Sequence, residues 1–128
     1  MHSKESFDYA IIRVVPRVER EEFVNVGAVV FCRTKKYLAA KVALDEARLQ
    51  HFFPSIDLET VRQHLEMIPK ICEGGRAAGP MGQFSQSERF NWIVTPKSTI
   101  VQCSPVHSGM CEEPEKQLER LVERMVRL

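Results

Sequence analysis

The sequence predicts an α+β domain built on a mainly antiparallel sheet of about four strands, three in a meander and one later in the chain, with helices packed on one face. Three observations predict it. Apolar runs rich in β-branched residues begin at Tyr9, Phe23 and Tyr37, joined by short polar links at residues 17–22 and 33–36. After Asp45 the apolar residues fall at helical rather than alternating intervals. The 128 residues, 44% apolar and 27% charged, suit one core, so residues 1–128 read as a single domain.

In chain order, residues 1–6 read as a frayed polar start. A first strand runs from Tyr9 to Val15 and is closed by Pro16. The second, Phe23 to Cys32, is long enough to cross a sheet, and the third runs from Tyr37 to Leu44. Asp45 caps a short helix that Pro54 ends. Asp57 caps the next, whose stripe is Leu58, Val61, Leu65, Ile68 and Cys72. Pro69 removes a backbone donor there, so this helix stops near Ile68 or kinks and fades by Glu73. Residues 74–84, rich in glycine, read as a flexible loop. Ser85 and Glu88 stand at capping-box spacing and open a helix that Pro96 stops. Residues 98–103 supply a fourth strand and residues 105–109 a turn. Pro114 then starts a last helix with Leu118, Leu121, Val122, Met125 and Leu128 on its buried side.

Alternation assigns the faces. Ala10, Ile12 and Val14, then Val24, Val26, Ala28 and Val30, then Leu38, Ala40, Val42 and Leu44 make one face wholly apolar, the side for the helices. The opposite face carries one polar residue per strand, Arg13, Asn25 and Lys41, beside the space left by Gly27. Asn25 and Gly27 are weak strand formers. A strand that gives up packing at its centre is bulged, or is approached closely by another backbone or a ligand. The ligand- or partner-binding candidates are therefore Arg13, Asn25, Gly27 and Lys41, with Arg48 and Arg89 at the margin, since a guanidinium fork suits phosphate or carboxylate. The competing reading is a plain bulge with Asn25 bonded to neighbouring backbone, and arginines that are solvated or ion-paired.

Composition narrows the function. Eighteen Lys and Arg against 17 Asp and Glu give a net charge of +1, without the basic excess of a stand-alone nucleic-acid binder. No apolar run approaches the ~20 residues of a membrane span and no apolar signal core opens the chain, so a cytoplasmic protein without membrane contact is expected. The four cysteines, without a secretory signal, read as free thiols. No complete catalytic motif is present, and no catalytic residue, cofactor or metal is assigned. One alternative is a small hydrolase or nuclease-like enzyme using His107 with Ser108 or a nearby cysteine. Another is a structural zinc domain on Cys103, His107 and Cys111, with Cys72 or Cys32 as fourth ligand. Against it, no Cys-x2-Cys knuckle is present, and Pro105 and Gly109 keep the three off one helical face. Phe90 and Trp92, beside Arg89, are assigned to core packing rather than to stacking on nucleic-acid bases.

Two segments are similar to a known family. Tyr9-Ala-Ile-Ile-Arg13-Val-Val-Pro16 with Glu22-Phe-Val-Asn25-Val-Gly27-Ala-Val-Val-Phe31, and later Arg89-Phe-Asn-Trp-Ile-Val-Thr-Pro96 with Pro105-Val-His107-Ser-Gly109, resemble the bacterial domain-of-unknown-function family DUF3037 over nearly the whole chain. The Asn-Val-Gly strand is the most specific piece. The family has no established activity, cofactor or catalytic residue to carry across. The resemblance implies an accessory module with a protein partner, a HipA-like kinase, since some members are encoded beside one. The leading expectation is thus a non-catalytic accessory or binding module for a protein partner or an anionic ligand.

Overall fold

The computed structural model describes residues 3–97 and 99–127, the side chain of Val18 excepted. Its centre is an antiparallel sheet of β1 (Glu5–Val14), β2 (Val24–Cys32), β3 (Tyr37–Val42), β4 (Val101–Cys103) and β5 (His107–Cys111). The strand order is β3-β2-β1-β4, and β5 also pairs with β1. The two late strands share one edge of β1: β5 takes residues 5–9 and β4 residues 12–14. The sheet is α+β and antiparallel as expected, but with five strands rather than about four. The fifth occupies the stretch read as a turn, because pairing with β1 settles Ser108 and Gly109 into extended backbone. That pairing also orders Glu5 and Ser6 of the expected frayed start, while Met1 and His2 lie outside the described residues. The expected fourth strand contracts to Val101–Cys103, and Ser98 lies outside the described residues.

The helix signals act where the side chains predict. Asp45 caps α1 (Glu46–Phe52) by accepting from the Arg48 N–H at 3.0 Å, and Asp57 caps α2 (Leu58–Glu73) through Thr60. Pro69 costs one backbone bond without ending α2, which runs on to Glu73. Residues 75–83, within the stretch expected as a loop, wind in 3-10 turns interrupted at Gly79. Ser85 and Glu88 form a reciprocal capping box on α3 (Gln86–Val94), and Pro114 is the first residue of α4 (Pro114–Met125).

Helices cover both faces of the sheet, not one. Leu49 of α1, Val61, Leu65 and Ile68 of α2 and Phe90 and Ile93 of α3 pack on Ile12, Val14, Val26 and Val29. On the other side, Leu118, Leu121 and Val122 of α4 pack on Ile11, Ala28, Val30 and Cys32. Each fully buried aliphatic side chain contributes about 1.5–3 kcal/mol, so α4 forms a second core of its own.

The face assignment of β2 also changes. Ile12 pairs with Gly27 but Arg13 pairs with Asn25, so Val26 is an extra residue, a β-bulge. The extra residue reverses the alternation beyond it. Val29 and Phe31 join Val24 and Val26 under α2 and α3, while Ala28 and Val30, expected on that side, face α4. Asn25 and Gly27, expected on one face, therefore stand on opposite faces.

Candidate functional site

The end of β1, the start of β2, the end of β3, α1 and the last turn of α4 meet at one end of the sheet. Three expected site residues gather here: Arg13, Asn25 and Arg48. Asn25 and Arg48 line one cleft of about 580 Å³ with Arg127, Ala43 and Asp45. A second cleft of about 460 Å³, on the other side of α1, is lined by Arg17, Arg20, Glu22, Phe52 and Asp57.

Asn25 has a structural task. Its Nδ2 donates to the Met125 carbonyl at 3.0 Å, satisfying one of the oxygens that the last turn of α4 leaves without an intrahelical donor. The plain reading of a bulge with an amide bonded to backbone is what the geometry shows. The other half of the amide, Oδ1, is buried and has no hydrogen-bond partner among the described residues, and the same holds for Nε of its cross-strand neighbour Arg13.

Arg13 extends over Phe23, its Cζ 3.9 Å from the ring centroid, and Phe23 itself is 46% exposed. Among the described residues no carboxylate pairs with this guanidinium. Burial holds its pKa below the ordinary arginine value, opposed in smaller measure by Cys103. Arg48 repeats the arrangement at longer range, its Cζ 6.0 Å from the ring of Phe52, which is 58% exposed. The acids nearby are engaged. Glu22 pairs with Arg20 at 2.5 Å, Asp45 caps α1, and hydrogen bonds from Thr60 hold the Asp57 carboxyl below its usual range.

The other expected residues lie elsewhere. Gly27 faces α2 and α3 rather than an open surface: a Cβ there would lie 2.5 Å from the Lys41 carbonyl oxygen and 3.2 Å from Val42 Cα. It is the position where β3 comes too close for a side chain, not a cradle for a ligand. Lys41 shares the face of Arg13 and Asn25 but pairs with Ala28, two residues short of Ala43, whose N–H bonds the bulge carbonyl of Val26. Arg89 is 7% exposed. Its Nη1 donates at 2.7 Å to the carbonyls of both Ile71 and Cys72, and its Nε to Phe84 at 3.0 Å. It closes the C-terminus of α2, and Gly74, with φ of 79°, leaves room for the guanidinium. An anion-site role for Arg89 is corrected to a cap.

The alternative site does not assemble either. His107 and Ser108 are consecutive strand residues and point to opposite faces. His107 packs 5.5 Å from the Tyr9 ring, and the Ser108 hydroxyl donates to Asp8 at 2.6 Å. Cys103, His107 and Cys111 pair with Ile12, Tyr9 and Glu5, spread along β1, and among the described residues no three His, Cys, Asp or Glu side chains gather to hold a metal. All four cysteines are free thiols, and burial pushes Cys72 up to about 12 and Cys103 up to about 11. Phe90 is buried as expected, whereas Trp92 is 49% exposed, with Lys97 Nζ 4.3 Å from its ring centroid.

Phe23, Phe52 and Arg127 were not among the candidates. Aromatic residues read as apolar strand or helix positions, and the available signal was their place at element ends, where burial is incomplete.

The family model described as "Protein of unknown function (DUF3037)" matches residues 9–126. The chain belongs to the DUF3037 family. No curated protein and no solved structure matches it. In this DUF3037 protein the matched segment takes in α4 up to the carbonyl held by Asn25, so both partners of that clamp lie within the family region. Among the described residues no helix is long and apolar enough to cross a membrane.

Proposed function

We propose that this DUF3037 protein is a binding module that takes an anionic group, presented by a protein partner, at the sheet end around Arg13. The observation that carries the reading is the Arg13 guanidinium itself. It is partly desolvated, braced on the exposed ring of Phe23, and without a carboxylate among the described residues. A cation that gives up water without gaining a counter-ion from the described residues is primed to gain one from a partner, because the desolvation is already incurred before binding. Arg48, in the cleft that Asn25 also lines, is a second guanidinium at this end of the sheet. A HipA-like kinase, the partner implied by the family resemblance, is the first protein to test.

The test uses a fluorescein-labelled hexaglutamate peptide at low salt, followed by polarisation. Arg13→Ala weakens binding at least ~10-fold, the size of one lost charge-assisted hydrogen bond, and added salt weakens the wild type in the same direction. Arg48→Ala has a smaller effect. Equal binding by wild type and Arg13→Ala overturns the proposal.

A further inference from the structure

The sheet leaves an edge open at β4. Val15 donates to Ile100 at 2.6 Å, Ser104 donates to Ile11 at 2.8 Å, and Gln102 pairs with Arg13, so the even-numbered residues turn their backbone groups toward β1. By the alternation of an antiparallel ladder, Val101 and Cys103 turn theirs outward, where no described strand pairs. The Val101 carbonyl accepts from the Thr99 hydroxyl at 2.6 Å, which leaves the Val101 N–H and both backbone groups of Cys103 facing out.

A groove of about 550 Å³ runs beside this edge, between β4 and the helices α2 and α3. Its floor is apolar, and its walls carry Trp92 and Met67, both exposed although neither is needed to close the core. Large, adaptable apolar side chains in that setting are the type that anchors a partner. Among the described residues, the ionisable side chains lining it, apart from the Cys103 thiol, are His64 and Lys97, with no carboxylate. Lys97 is held over Trp92 by the carbonyls of Trp92, Ile93 and Thr95, and burial lowers its pKa. Burial of Cys103 keeps its thiol neutral at physiological pH, so the net field of the lining side chains is positive.

We infer that the β4 edge and this groove together receive an extended acidic segment of a partner protein, which adds as a strand along Val101–Cys103, sets an apolar side chain between Met67 and Trp92, and places a carboxylate beside Lys97. Backbone pairing supplies orientation, the groove selects the side chain, and the lysine selects the charge. This surface is distinct from the sheet end and does not depend on it.

The experiment pans a random heptapeptide display library against the immobilised full chain, then resynthesises the enriched sequences. The expected sequences place an acidic and a large apolar residue two apart, since alternate residues of a strand share a face. N-methylation of alternate amides in those peptides weakens binding at least ~10-fold, as do Trp92→Ala and Met67→Glu. Both residues are exposed, and thermal melts verify that the variants fold. Lys97→Glu shifts the selection to basic sequences. No enrichment, enrichment at the three- and four-residue spacing of a helix, indifference to both Trp92→Ala and Met67→Glu, or a concentration-dependent dimer abolished by Trp92→Ala would each overturn the inference.

Discussion

Arg89 and Arg13 carry the same guanidinium and meet opposite environments. Arg89 reaches from α3 to the end of α2, nearly all its surface covered, with its charge answered by the carbonyls of Ile71, Cys72 and Phe84. Arg13 lies at the sheet end, stacked on Phe23, with its Nε unanswered and no acid beside it among the described residues. A buried cation with a full set of acceptors has become part of the scaffold. A partly buried cation without one retains an unused capacity to bind. Substituting the first should therefore cost stability, and substituting the second should cost binding.

The largest effect is expected at Arg89. Arg89→Met leaves the α2 carbonyls buried without donors and should lower unfolding free energy by about 3 kcal/mol in urea titration. A loss below ~1 kcal/mol would remove the contrast between the two sites. Gly27→Ala tests the packed side of β2 independently of charge. Forcing β3 away from the built contact with the Lys41 carbonyl should cost about 2 kcal/mol, and a neutral result would reopen Gly27 as free space. Asn25→Ala removes the clamp on Met125 and should cost about 1 kcal/mol, read as earlier amide exchange in the last turn of α4 than in α2.

The thiols sharpen the comparison from the side of pH. Burial raises Cys72 and Cys103 to about 12 and about 11 in the folded chain, while Arg89 pulls Cys72 in the opposite direction. The unfolded chain releases these protons first, from about pH 8.5, so stability should be constant below that value and fall as pH rises toward 11–12. Cys72→Ala should flatten this alkaline fall, and Arg89→Met should raise the Cys72 thiol further, measured by the pH dependence of iodoacetamide reaction. The smallest stability effect is expected at Arg13: Arg13→Ala should lower unfolding free energy by less than ~1 kcal/mol, the size of an exposed cation–π contact.

The sequence showed the elements better than their arrangement. Asp45, Asp57 and the Ser85–Glu88 box marked helix starts through local bonds, and Pro114 through its fixed φ, none of which needs tertiary context. The stripe of α4 showed that a face would be buried, but a stripe does not say against which side of a sheet. The signal lay in β2, apolar at nearly every position, as a strand covered on both faces must be. The bulge at Val26 was legible as a possibility from Asn25 and Gly27. Its consequence, the exchange of faces from Ala28 onward, depends on one unpaired residue whose place only the register with β1 fixes. β5 stayed hidden because Ser108 and Gly109 have little strand propensity, and β1 supplies the order. Arg13, Arg48 and Arg89 were indistinguishable as arginines, since acceptors such as the Ile71 and Cys72 carbonyls appear only once α2 and α3 have packed.

The most direct measurement is the arginine Nε–Hε region of a proton–nitrogen spectrum during titration with the hexaglutamate peptide. The Arg13 signal is expected to move and saturate together with the side-chain amide of Asn25, while the Arg89 signal stays fixed. A titration in which the peptide binds and the Arg13 signal does not move would contradict it.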